Sequence, residues 1–209
     1  RATRRSSMWG ALVRVLLRLA AVAALREACR LAFAFRMHAI NDYGSIIHEF
    51  DPWFNFRATE YLVTHGWSAF FHWFDHAAWY PLGRPVATTI YPGMQLTAAA
   101  TYHALQRSGL SSWSLEDVCC YIPVWGGVVA TVFTALLAFE CSGQSEAAAV
   151  GAGFVMAIVP AHLQRSVGGG FDNESVAMPA MCATFYFWCR AMRCPAAGAD
   201  ASTASSLAA

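Results

Sequence analysis

Between Val118 and Phe139 the chain reads "VCCYIPVWGGVVATVFTALLAF" and carries no charged side chain. A block of this kind is close to the roughly 20 residues that cross a bilayer as a helix, and it constrains the fold more than any other feature. A second block, "AAAVGAGFVMAIVPAHL" (Ala147–Leu163), follows the short polar turn "ECSGQSE", so the two read as a helical hairpin. Composition agrees with membrane blocks: 57% of the residues are hydrophobic and 13% charged, about half the charge expected of a soluble domain.

Two further blocks extend the pattern. "MWGALVRVLLRLAAVAALREACRLAFAFR" precedes the hairpin and "SVAMPAMCATFYFWCRAMR" follows it. The first is an imperfect span, because Arg26, Glu27 and Arg30 lie inside it and must pair, snorkel or face protein. Arg1, Arg4 and Arg5, with Arg14 and Arg18, assign the basic N-terminus (residues 1–7) to the cytoplasm, and Arg190 and Arg193 close the fourth block. The stretch Thr88–Gln106 is weakly apolar, is broken by Pro92-Gly93, and carries Gln95 and His103. Left outside the bilayer, it makes a long first loop of about residues 38–114 and returns Arg190 and Arg193 to the side of the N-terminus. The expected fold is therefore an all-α polytopic membrane protein with about four transmembrane helices over residues 8–193, a long helical first loop, and a low-complexity tail at 194–209.

Charge excludes nucleic acid as a partner: the net charge is only +1, with every basic residue an arginine. The seven cysteines sit in or beside apolar blocks and do not read as a disulfide framework; most read as small buried hydrophobes.

The charges that do occur are placed oddly. "SIIHEFDPWFNFRATEYLV" sets Glu49, Asp51 and Glu60 among aromatic rings, and rings of this density anchor a loop at a membrane interface. A second acidic cluster, "GGGFDNES", puts Asp172 and Glu174 two residues apart, as Glu49 and Asp51 are in the first, after three glycines that read as a flexible lead-in. Two spans separate the clusters, so both face one side, where unpaired carboxylates repel one another. A divalent cation resolves that repulsion, and an all-oxygen donor set favours Mg²⁺ or Mn²⁺ over zinc. Two compatible roles stand open for Asp172: a metal ligand, or the N-cap of the fourth helix with Glu174 in its first turn. Arg165 on the same side is a counter-ion, a grip for an anionic substrate, or a snorkelling residue. "HWFDH" (His72–His76) is only a fragment of a zinc pattern, and Asn173-Glu174-Ser175 matches a glycosylation sequon by chance.

Several of these strings, in this order, resemble a known family. "SIIHEFDPWFNFRATEYL", "FHWFDHAAWYPLGRP", "TIYPGMQLTAAATYHAL" and "IVPAHLQRSVGGGFDNESVAM" are similar to the N-terminal part of the catalytic subunit of oligosaccharyltransferase. The resemblance implies a lipid-dependent glycosyltransferase domain of the GT-C type in the endoplasmic reticulum membrane, with the acidic motifs facing the lumen. It assigns the first motif to Glu49-Phe50-Asp51 and the second to Asp172-Asn173-Glu174. It implies Asp51, Asp172 and Glu174 as ligands of Mn²⁺ or Mg²⁺, Asp51 as a contact to the acceptor, and Arg165 as necessary for activity. The implied substrates are a dolichyl-pyrophosphate-linked oligosaccharide and a polypeptide bearing Asn-X-Ser/Thr; other oligosaccharyltransferase subunits are implied partners. Departures are the extra glycine before Phe171 and the added length of "AINDYG". No WWDYG string and no later glutamate of the acceptor site occur in residues 1–209, so these residues alone are expected to be inactive. The competing readings are a non-catalytic membrane transporter or assembly subunit, and a related mannosyltransferase using a dolichyl-phosphate sugar.

Overall fold

A computed structural model describes residues 2–109 and 112–193. The expected tail at 194–209 lies outside the described residues. The elements run α1 (Ala2–Arg36), α2 (His38–Tyr43), α3 (Phe50–Phe71), β1 (Phe74–Asp75), β2 (Arg84–Pro85), α4 (Gly93–Arg107), α5 (Leu115–Cys141), α6 (Glu146–Ile158), α7 (Pro160–Leu163) and α8 (Glu174–Arg193). β1 and β2 form a two-stranded antiparallel ribbon, with Asp75 opposite Arg84.

Helix boundaries follow local chemistry. Ser114 caps α5: its hydroxyl accepts from the Asp117 N–H, and the Asp117 carboxylate accepts from the Ser114 N–H in return. Ser145 caps α6 with a single bond, its hydroxyl accepting from the Ala148 N–H. Pro160 at the start of α7 has no N–H to continue α6, so the chain turns after Ile158. α4 begins directly after Pro92, which is where the sequence breaks Thr88–Gln106.

The long helices alternate in direction. Along α1 and α6 the contacts rise together: Arg18 meets Glu146 at 3.3 Å, Leu25 packs on Gly153, and Arg36 bonds the Ala157 carbonyl at 2.9 Å. Along α5 and α8 they also rise together, from Gly126 against Ser175, through Thr134 Oγ1–Cys182 Sγ at 3.4 Å, to Cys141 Sγ–Cys189 Sγ at 3.8 Å. α5 and α6 are joined by a short turn and run antiparallel, and Arg36, the last residue of α1, reaches Gly127 in the middle of α5. α1 and α6 therefore point one way and α5 and α8 the other. The end of α1, the start of α5, the end of α6 and the start of α8 share one end of the bundle.

Among the described residues one helix, α5, is long and apolar enough to cross a membrane, and α6 is apolar but has 13 residues. α1 has the length, with Arg14, Arg18, Arg26, Glu27 and Arg30 along it. Of these, Glu27 and Arg30 pair at 2.6 Å, as charges inside an apolar block should. Cys119 and Cys120 are buried and Cys141 is exposed, so the buried-hydrophobe reading of the cysteines holds for the first two and not for the third.

At the shared end the loop packs on the helices. Ile40, Ile47, Met94, Ala98, Val118, Ile122, Val124 and Phe171 form one buried cluster, joining α2, the first acidic motif's approach, α4, α5 and the residue before Asp172. Ala58, Leu62, Phe70, Val86 and Ala99 form a second, which seats α3 on α4 and the ribbon.

Candidate functional site

The first acidic motif opens α3. Glu49 precedes the helix at φ 71 and ψ 161, a region that residues with a Cβ rarely enter, and its side chain makes no cap. Asp51 follows in the first turn, where the helix dipole favours a carboxylate, and Pro52 occupies a position whose N–H has no helical partner anyway. Asp51 is exposed and Pro52 buried, so the rigid ring fixes the turn while the acid faces outward.

The second motif reaches this turn through a docked glycine run. Gly168 N–H donates to the Arg36 carbonyl at 2.8 Å, and Gly169 N–H to the Cys120 carbonyl at 3.0 Å. That carbonyl lies in α5, three residues before Pro123. His48, just before Glu49, closes the contact from the other side. Its N–H donates to the Gly169 carbonyl at 3.3 Å, and its ring Nε2 lies 3.1 Å from the Gly168 carbonyl. Gly169 has φ +85, and a Cβ there would strike the Ile46 carbonyl oxygen. A Cβ on Gly168 would meet the Ile40 side chain. The glycines are thus packed where two backbones meet, not a flexible lead-in to the second motif.

Asp172 is half-buried, and its Oδ1 accepts from Asn173 N–H at 2.8 Å and from Asn55 Nδ2 at 3.3 Å. An N-cap would accept from the first-turn amides of α8; the Asp172 side chain instead turns to α3. Asn55 stands one turn after Asp51, so both occupy one face of α3, where neighbours four residues apart lie about 5–6 Å apart at Cβ. The two motifs therefore meet at one end of the bundle, with Asn55 as the direct link. Glu174 is half-buried in the first turn of α8. Arg165 is exposed between α7 and the glycine run, and its side chain has no partner among the described residues. No described cation pairs with Asp51, Asp172 or Glu174.

The donor set consists of carboxylate oxygens, which suits Mg²⁺ or Mn²⁺. The Asn173 Oδ1 beside them is buried with no hydrogen-bond partner. Among the described residues no three His, Cys, Asp or Glu side chains stand close enough to enclose an ion. The other histidine–acid string is already committed elsewhere: Asp75 receives Arg57 Nε at 2.8 Å and Nη2 at 3.1 Å, and His72 Nδ1 lies 2.8 Å from the Ser68 carbonyl. The Arg57 guanidinium holds the Asp75 carboxyl below the usual carboxylate range, against the opposing effect of burial. A cleft of about 660 Å³ lies at the opposite end between α1, α5 and α6, with Arg18 and Glu146 on its lining.

Sequence reasoning missed Asn55 and Arg36. Arg36 is fully buried, and its guanidinium donates to Ser166 Oγ at 2.8 Å and to the Ala32 and Ala157 carbonyls at 2.9 Å. Two helix C-termini, those of α1 and α6, thus turn their negative ends on one cation, and the segment leading to Gly168 is held there. The only sequence signal was an arginine ending an apolar block.

With this geometry in hand, the family described as "Oligosaccharyl transferase STT3, N-terminal" matches residues 13–204. The chain belongs to this family. The dolichyl-diphosphooligosaccharide–protein glycosyltransferase subunit STT3 of Saccharomyces cerevisiae is 42% identical over 166 residues, 78% of this chain and 22% of that one. The corresponding Caenorhabditis elegans subunit is 40% identical over 173 residues, 82% of this chain and 22% of its own. The Oryza sativa subunit STT3A is 40% identical over 162 residues, 78% of this chain and 20% of its own. The chain spans about a fifth of the length of these curated relatives. The match to the STT3 family runs through both acidic motifs, Arg165 and the glycine run.

Proposed function

We propose that these residues form the N-terminal part of an oligosaccharyltransferase that moves a glycan from a dolichyl-pyrophosphate carrier to the asparagine of Asn-X-Ser/Thr. The observation that carries the reading is the docking of the first acidic motif on the second, through His48–Gly169 and Asn55–Asp172. The names of the relatives supply the reaction. α1, α5, α6 with α7, and α8 are four spans of a GT-C type membrane domain in the endoplasmic reticulum, each running opposite to the one before it. Their alternating directions support this, and the shared end with both motifs faces the lumen. Other subunits assemble with the full protein.

An amide nitrogen is a weak nucleophile because its lone pair is delocalised into the carbonyl. Asp51, exposed on the first turn of α3, accepts a hydrogen bond from the acceptor amide and localises that pair. Arg165, unpaired beside the glycine run, offers its guanidinium to the pyrophosphate. Asp51, Asp172 and Glu174 would hold Mn²⁺ or Mg²⁺, whose chemistry here is to neutralise charge on the departing pyrophosphate.

The test uses the protein purified from its membranes, with Mn²⁺, lipid-pyrophosphate-linked oligosaccharide and a fluorescent Asn-X-Thr peptide. Glycopeptide should form, and Asp51→Ala should abolish it. Sugar transfer only from a dolichyl-phosphate donor would instead identify a mannosyltransferase and overturn the proposal.

A further inference from the structure

Behind Asp172 lies a pair of buried side-chain amides that neither acidic motif contains. Gln95, on α4, is fully buried, and Asn55 is buried on α3. Gln95 Nε2 donates to Asn55 Oδ1 at 3.3 Å, while Asn55 Nδ2 donates to the Phe171 carbonyl at 3.2 Å and to Asp172 Oδ1 at 3.3 Å. The direction of this chain is fixed by chemistry. A carbonyl and a carboxylate only accept, so Asn55 must turn its NH₂ toward them and its oxygen toward α4. That oxygen in turn requires a donor, and Gln95 supplies one while its own Oε1 stays unpartnered.

The consequence falls on Asp172. Its Oδ1 is occupied by two N–H groups, from Asn55 and Asn173, while its Oδ2 takes no hydrogen bond from a described residue. We propose that Asn55 and Gln95 are positioning residues: a two-amide relay that pins Asp172 by Oδ1 and presents Oδ2 to the cation. This rests on the reading of Asp172 as a metal ligand. The relay also ties the carboxylate to two elements of the loop, α3 and α4, so the loop must be seated before Asp172 is aligned. Partners beyond the ligands orient metal-binding carboxylates, and losing one typically weakens metal affinity by about 10–100-fold.

The test is Mn²⁺ binding to the protein purified from its membranes, read from the free-ion paramagnetic resonance signal without substrate, beside the Mn²⁺ dependence of transfer. Asn55→Leu and Gln95→Met remove the hydrogen bonds at near-constant side-chain size. Asn55→Leu should weaken Mn²⁺ binding about ten-fold and leave the acceptor-peptide KM unchanged. Gln95→Met should have a smaller effect, about three-fold, because it acts through Asn55. The double variant should match Asn55→Leu alone; multiplying effects would mean two independent contacts and would overturn the relay. Wild-type Mn²⁺ affinity in Asn55→Leu overturns it too. Should Asn55→Leu fail to accumulate, wild-type affinity in Gln95→Met overturns it, and a loss confined to Mn²⁺ binding supports it. Asp172→Ala separates the two levels. If it binds Mn²⁺ normally, the ligand reading fails and the relay with it; if only Asp172→Ala binds weakly, the relay alone fails.

Discussion

Glu140, near the end of α5, is buried and has Arg193 at 2.7 Å and Arg190 at 3.8 Å. At the other end of the bundle Asp172 is held by N–H groups of Asn55 and Asn173, and no described cation reaches it, Asp51 or Glu174. Both ends gather acids, and they treat them in opposite ways. Where a carboxylate serves packing, arginines neutralise it, and Asp75 with Arg57 repeats the rule within the loop. Glu140 Oε2 has charge proximity to Arg193 without an aligned hydrogen bond, which is sufficient for neutralisation. Where the motifs meet, neutral donors fix Asp172, and no described cation offsets its charge or that of Asp51 and Glu174. Carboxylates left without a counter-charge on one side repel one another, which is why we propose that a cation joins them.

The largest expected effect separates the ends by function. In the proposed full-length transferase, Asp51→Ala should abolish transfer while leaving the protein's thermal transition in place. Glu140→Ala should do the reverse: transfer per folded molecule within about two-fold, and a loss of stability of about 1–3 kcal/mol from the arginines left unpaired. Activity and melting measurements on the two variants check both halves.

The ends should also be chemically distinguishable across the membrane. Arg107→Cys, at the end of α4, should react with an impermeant thiol reagent from the lumen, and Ser142→Cys, between α5 and α6, only from the cytosol. Labelling of both from one side would sink the four-span topology.

A third contrast uses glycine. Gly169→Ala drives a Cβ into the Ile46 carbonyl at φ +85, so the two motifs are pushed apart and transfer should fall at least ten-fold. Gly143, at the opposite end, has φ +68 but open space around it. Gly143→Ala should cost only the local strain of about 1–2 kcal/mol and leave transfer unchanged. Equal losses of transfer in both would contradict the special role of the glycine run.

These residues also mark what a sequence reading reaches. The apolar blocks, the polar turn between α5 and α6, and the break at Pro92-Gly93 are local signals, and α5, α6 and α4 appear where those signals fall. The motifs themselves were legible from acid spacing and from the family resemblance. Asn55 was not, because its partners lie 40 and 117 positions away and periodicity reports only neighbours within a turn or two. The glycine run was misread as flexible for a similar reason: whether a glycine serves freedom or close approach depends on what packs against it. Asp172 fitted an N-cap by position alone, and only its side-chain direction distinguishes that role from a link to α3.

The smallest effect concerns Asp75. Its carboxyl is held below the usual range by Arg57, so it contributes stability above the ordinary carboxylate pKa and loses that contribution as pH falls through the lowered value. Arg57→Met should therefore weaken the loop by about 1 kcal/mol at neutral pH, with the difference from wild type vanishing under strongly acidic conditions. Thermal transitions at pH 7 and in acid measure it.

The central claim is that the motif acids hold charge for a cation, and Asp172→Asn tests it most directly. The substitution keeps the size of the side chain and an oxygen able to accept from Asn55 and Asn173, and removes only the negative charge. Mn²⁺ titration of the purified protein should show binding at least ten-fold weaker than wild type, with the melting transition little changed. Wild-type Mn²⁺ affinity in Asp172→Asn would contradict the account, because the acid would then serve only the hydrogen bonds that asparagine preserves.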